Sequence, residues 1–396
     1  MIELIVAFLL GILTGTITGL TPGIHINLIA TILLAFVFAT SQHLTVLLVF
    51  ITAMAITHTF IDFIPSIFLG APDEDTGLGV LPGHEFLLKG QGHQAVKLTT
   101  IGSTISIISL SIIIPFFLYI IPKIYPFIER MLGFFLIWIV ILLILNEKES
   151  RIKATIIFIL AGFLGIASFN LNIQQPLLPL LTGLFGASTI INSIRTKTKI
   201  PEQKIEKLTI TKKELIKPTL STILISPICS FFPGLGSSQA AIIGSEIMGK
   251  LNREQFLVLL GSINTLVMSI SFVTLFLIQK SRTGAAAAIS QLTQLNFSSL
   301  LIILITIILT SLIAIPLTLQ ISKIFAKNIH KIPYTKISIV ILIFLTIIII
   351  LFSNFQGFLV YTVATLLGLT AIEFQTRRSF LMGAILIPTI LYYLPF

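Results

Sequence analysis

Charge is what this 396-residue chain has least of. Asp, Glu, Lys and Arg together make up 10% of it, where a soluble domain carries roughly 25%. So few charges could not cover a folded surface in water, and the mean hydropathy of +1.06 points to lipid as the solvent. Cysteine is nearly absent too. The single Cys229 excludes an internal disulfide and any Cys-rich metal site. There is no Walker loop and no Rossmann fingerprint, which argues against ATP-driven pumping by this chain itself. No His-Glu-x-x-His spacing occurs, so no metal centre is expected. The net charge of +10 is no nucleic-acid signature. The basic residues sit in short loops between apolar runs, where cytoplasmic Lys and Arg belong.

What the chain does have is apolar length. Runs near 1–20, 98–122, 131–146, 297–320 and 337–352 approach the ~20 residues that a spanning helix needs. They recur far past any signal peptide. Backbone groups in hydrocarbon must be bonded internally, and the alternation of an outer-membrane barrel is missing. The expected fold is an all-α polytopic protein of the cell membrane, with about 12–14 hydrophobic helices.

Basic loops orient these helices. Arg195 to Lys217 holds eight basic residues against Glu202, Glu206 and Glu214, and reads as a cytoplasmic linker. It divides the chain into a first repeat (1–194), the linker (195–217) and a second repeat (218–396). The loops 146–153 and 323–336 are also basic and belong inside. The uncharged connections 168–175 and 353–356 suit the outside. Run 98–122 must then point outward and its counterpart 297–320 inward, which makes the two repeats inverted. Two segments break the charge rule. Gly70–Lys97 is acid-rich yet expected inside, and Gln279–Asn296 carries Lys280 and Arg282 yet is expected outside. The second suggests backbone folded back into the protein, which is tolerated where protein or water surrounds it.

Polar residues fall at corresponding breaks. Thr21-Pro22-Gly23-Ile24-His25-Ile26-Asn27 interrupts one apolar run, and Pro233-Gly234-Leu235-Gly236-Ser237-Ser238-Gln239 interrupts another, with 211 positions between the prolines. Such paired interruptions are the best sequence pointer to a secondary transporter's binding site. Ordinary loop turns also favour Pro-Gly. A helix starting after each break would aim free N–H groups and a positive dipole end at an anion. Candidate substrate-binding residues are therefore Pro22, Gly23, His25, Asn27, Pro233, Gly234, Gly236, Ser237 and Ser238. The third element of each half is polar as well. Thr57, His58 and Asp62 lie in one, Asn264 and Thr265 in the other. Ionisable groups in spans are costly and usually functional. His58 and Asp62, four apart, share a helix face; they form a proton or cation site, or a buried pair that fixes packing. With Asp73 in the acidic loop, these residues are the candidates for coupling-ion binding or gating.

At these residues the chain resembles the large membrane subunit of the tripartite tricarboxylate transporters, in the shorter form typical of archaea. The features that carry the resemblance are Thr21-Pro22-Gly23-Ile24-His25, Ala71-Pro72-Asp73 through Lys89-Gly90-Gln91-Gly92, Leu181-Thr182-Gly183-Leu184-Phe185-Gly186, Phe232-Pro233-Gly234-Leu235-Gly236, and Arg377-Arg378-Ser379 to Leu386-Ile387-Pro388. Their order covers nearly the whole chain. Where the family usually has a Pro-Gly pair, this chain has Ile278-Gln279-Lys280-Ser281, and His25 stands where Gly is common. The resemblance implies cation-coupled uptake of carboxylates with a small membrane subunit and an extracytoplasmic solute-binding protein.

The expected function is a multi-pass secondary transporter, not an enzyme. It would move a di- or tricarboxylate-like anion on a sodium or proton gradient, with no cofactor and no nucleic-acid partner; a homodimer is compatible with it. A membrane-embedded enzyme would need a nucleophile–base pair or metal site, and nothing in the sequence places Ser281 and His84 together. A non-transporting scaffold would not require broken polar segments in both halves.

Overall fold

The computed structural model of the protein describes residues 2–21, 44–71, 76–147, 151–173, 175–196, 200–206, 208, 210–230, 236–249, 251–281, 283–331 and 334–394. Among these residues every regular element is helical, and eight helices are long and apolar enough to cross a membrane. The protein is an all-α polytopic membrane protein.

In chain order the helices are α1 (Ile2–Leu20), α2 (Leu44–Phe68, interrupted by a turn at Asp62), the short α3 (Val80–Leu88), α4 (Gly92–Leu145), α5 (Arg151–Asn170) and α6 (Leu177–Arg195). After the basic linker come α7 (Ile216–Cys229), α8 (Ser237–Ile247), α9 (Arg253–Ile278), the short α10 (Gly284–Leu292), α11 (Phe297–Asn328), α12 (Tyr334–Glu373) and α13 (Gly383–Tyr393). Side-chain oxygens mark several starts. Asn252 and Gln255 form a capping box on α9, Thr283 caps α10 and Asn296 caps α11, each meeting an N–H that the helix itself leaves open.

Two helical stretches exceed a bilayer. At 1.5 Å per residue, the 54 residues of α4 would extend about 80 Å if straight. Instead Tyr125, near its middle, accepts a 2.6 Å hydrogen bond from Lys280 Nζ. Its last carbonyls lead to Asn146, which lines the same cavity as Pro82, ten residues before its start. The helix therefore doubles back after Pro115, Pro122 and Pro126, residues that remove backbone donors and favour kinks. The sequence-expected runs 98–122 and 131–146 are its two arms. In α12 the return is at Asn354, at φ 57° and ψ −168°. Its side chain accepts from the N–H groups of Gln356 and Gly357 at 3.0 and 3.3 Å, so it closes one arm and caps the next.

Polar helices go inside. α1, α5 and the arms of α4, α11 and α12 turn Leu, Ile and Phe outward, whereas α2 and α9 are buried along nearly their whole length. Without a hydrophobic drive between helices in lipid, close contact depends on small residues and polar links. Gly11, Gly15 and Gly19 of α1 bring it against Phe50, Met54 and Ile61 of α2, so the two helices run parallel. Gly102 of α4 lies against Val258 of α9, and Gly261 of α9 against Thr99 of α4.

The contacts come in matched sets. Thr18 meets His58 at 3.0 Å in the first half, and Thr222 meets Ser262 at 2.6 Å in the second; each pair is 40 residues apart. Ser66 and Thr76 share a hydrogen bond at 2.6 Å, Ser271 and Thr283 at 2.8 Å. Other pairings cross between the halves. Gly165 faces the carbonyl of Ala384 and Gly368 that of Leu184; Gly183 faces the carbonyl of Tyr361 and Gly383 that of Phe158. In each case a Cβ would overlap the opposing backbone.

The loops gather at two ends. At one, Gln203 and Lys204 of the linker bond to Leu87, Gly90 and Gly92. Ser322 meets His93 there, and Arg377 pairs with Glu147 at 3.2 Å. At the other, Ser353 and Asn354 donate to the carbonyls of Gln175 and Asn172 at 3.3 and 3.1 Å. The segments that break the charge rule hold α3 and α10, each nine residues and too short to cross.

Candidate functional site

The interruption of α2 places Asp62 in the interior, 2% exposed. There the middle of α9 arrives. Asn264 Nδ2 donates to Asp62 Oδ2 at 2.7 Å and to the carbonyl of Thr59 at 3.4 Å. Thr265 Oγ1 donates to Thr59 Oγ1 at 3.2 Å. Ser237, the first residue of α8, donates from Oγ to Asn264 Oδ1 at 3.4 Å. Five buried polar side chains from three elements thus form one chain of hydrogen bonds. A carboxylate and several neutral oxygens, sealed from lipid by α2 and α9, are the donor set that a hard monovalent cation or a proton uses.

α8 supplies the complementary polarity. Gly236 has extended backbone and no side chain to cap the helix. The positive dipole end of α8 therefore lies at Ser237 and Ser238. Beside them Gln239 Oε1 is buried with no hydrogen-bond partner. At 11 residues, α8 is roughly 16 Å long. It cannot cross the membrane and instead begins at the depth of Asn264.

Of the sequence-expected residues, the structure joins Asp62, Asn264, Thr265 and Ser237, with Gly236 and Ser238 adjacent in the chain. Thr57 and His58 belong to the α1-facing side of α2. His58 Nδ1 lies 3.0 Å from Thr18 Oγ1, and Gly15 packs against Thr57. Pro22, Gly23, His25, Asn27, Asp73, Pro233 and Gly234 lie outside the described residues. Thr59 is the member that the sequence reading did not single out. Its three-residue spacing from Asp62 was the available signal, because such residues share a helix face.

A second polar centre sits at the linker end. α6 contains a π-helical turn, Thr182–Ala187, which shifts carbonyls out of the regular ladder. Arg378, 6% exposed, reaches into it and donates to the carbonyls of Leu184 (2.6 Å) and Phe185 (3.2 Å) and to the hydroxyls of Ser188 and Thr189. His84 of α3 lies 3.4 Å from Ser193 Oγ, and burial pushes its imidazole down to about 4. Ser281 follows Lys280, whose Nζ donates to Tyr125, and the serine that His84 meets is Ser193 instead.

The bundle thus buries a carboxylate between its two central helices, with the start of a short helix touching one of them at Asn264. Residues 5–383 match the Tripartite tricarboxylate transporter TctA family, and the chain belongs to that family, which is one of transporters rather than enzymes. It is 31% identical to an uncharacterized protein of Methanocaldococcus jannaschii over 407 aligned positions, covering 98% of each chain. No solved structure matches.

Proposed function

We propose that the chain is a secondary active transporter that moves a small di- or tricarboxylate across the cell membrane, driven by a sodium or proton gradient. The Asp62–Asn264 hydrogen bond at 2.7 Å carries this reading. It joins the third element of one half to that of the other at the start of α8. In this mechanism the coupling cation is held by Asp62, with Thr59, Asn264 and Thr265 supplying neutral oxygens. The carboxylate lies over the α8 N-terminus at Ser237 and Ser238, with the Pro22–Asn27 and Pro233–Gly234 breaks contributing from either half. Cation and anion offset one another in a low-dielectric site, so each raises the affinity for the other.

The halves 1–194 and 218–396 act as inverted repeats about this site. The repeated Thr18–His58 and Thr222–Ser262 pairs and the reciprocal glycine contacts support a two-fold relation. The meeting of 172–175 with 353–354, and of the linker with 87–97, supports the sidedness expected from charge. A small membrane subunit and an extracytoplasmic binding protein would deliver substrate to the outer face.

Proteoliposomes test the mechanism. Citrate uptake should follow an imposed sodium or proton gradient, and Asp62→Asn should cut it about tenfold or more, the loss expected when a hydrogen-bonded charge is removed. No carboxylate flux under either gradient, or full flux in Asp62→Asn, rejects the assignment.

A further inference from the structure

The guanidinium of Arg378 carries a charge that the site at Asp62 does not use. All its acceptors are neutral: two carbonyls of the π-helical turn and the hydroxyls of Ser188 and Thr189 just after it, with the Phe185 ring 5.5 Å away. Among the described residues no carboxylate pairs with it, and its Nε is buried with no acceptor. Its neighbour Arg377, by contrast, is paired with Glu147. A buried cation without a counter-ion costs several kcal/mol.

Arg378 stands on the wall of a cavity of about 650 Å³, with Arg377, Ser379, Asn146, Ser245 and Glu246. That volume is in the range of small-molecule pockets. Among the described residues Arg377, Arg378 and Glu246 line it; Arg377 is matched by Glu147, and Glu246 accepts from Asn146 Nδ2 at 2.6 Å, so Arg378 is the lining cation with no ion-pair partner of its own. α8 links this cavity to the candidate transport site. Its first residue, Ser237, touches Asn264, while Ser245 and Glu246 near its other end line the cavity, roughly 12 Å further along the helix.

We propose that this cavity is a second anion site, a cytoplasmic station for a small carboxylate with Arg378 as its counter-charge and Ser379 and Asn146 as neutral partners. The carboxylate class and the cytoplasmic side rest on the carrier reading above. The site extends that reading from a single binding point to two, joined by α8.

Maleimide labelling of Ser245→Cys in the detergent-solubilised full chain tests it, since Cys229 is buried. Citrate at ten times its Kd should slow labelling about tenfold by mass action. Arg378→Gln in that background should abolish protection and leave the citrate-free labelling rate unchanged. Glu246→Gln, which removes the opposing charge, should lower the citrate concentration needed severalfold. The proposal falls if citrate gives no protection, if protection survives Arg378→Gln, or if Glu246→Gln leaves the citrate dependence unchanged. It also falls if inorganic phosphate or phosphatidylglycerol micelles protect as well as citrate. A chain that moves no carboxylate yet keeps Arg378-dependent protection would overturn the carrier reading alone. Transport without such protection would overturn this site alone.

Discussion

At the scale of residues, a few buried polar atoms hold the two central helices together. Asn264→Ala deletes a hydrogen bond to a carboxylate in the interior, so thermal unfolding in detergent should show a loss of about 1.5–3 kcal/mol. A double-mutant cycle with Asp62→Asn should return a non-additive coupling energy; strict additivity would mean that the pair is not a unit. His84 gives a pH signature. Its folded value is about 4 against 6.5 for an ordinary imidazole, so the unfolded chain takes up the proton first as pH falls. The stability it contributes is complete above about 6.5 and is lost progressively down to about 4, on the order of 3 kcal/mol in all. Unfolding midpoints measured across that window should flatten in His84→Gln. Legibility varied among these residues. Asp62, Asn264 and Thr265 stood out because polar side chains in apolar runs are conspicuous. Arg378 was visible only as part of a motif shared with a family, since nothing in the sequence says that the end of α6 will bury it.

At the scale of elements, hydrophobic length located nearly every described helix, because lipid imposes one rule on all of them. The charge-rule exceptions were equally informative. Gly70–Lys97 and Gln279–Asn296 each contain a nine-residue helix, so both supply short structure that does not cross. The pairing of elements was not legible. Nothing in a linear pattern says that Gly165 will meet Ala384 while Gly368 meets Leu184. That reciprocity makes a sharp prediction. Gly165→Val and Gly368→Val should destabilise the protein to a similar extent, about 1–3 kcal/mol each, read as earlier thermal unfolding. A large effect at one and none at the other would contradict equivalent roles.

At the scale of the whole molecule, charge and contact agree on which loops share an end. Cysteine accessibility in intact cells checks the orientation: Gln356→Cys should react with a membrane-impermeant maleimide, and Lys204→Cys only after permeabilisation. Labelling of both from outside would reject opposite sidedness. The interlocked halves also have a consequence for biosynthesis. Asp62 finds its partner Asn264 only 202 residues later, roughly 10–40 s of translation at common elongation rates. Throughout that interval the nascent first half must shelter an ionisable group in the bilayer, and seats for helices not yet made stand open. Ribosome-stalled chains that end before Asn264 should therefore be recognised by membrane quality control, and coexpressing 218–396 as a separate polypeptide should rescue them.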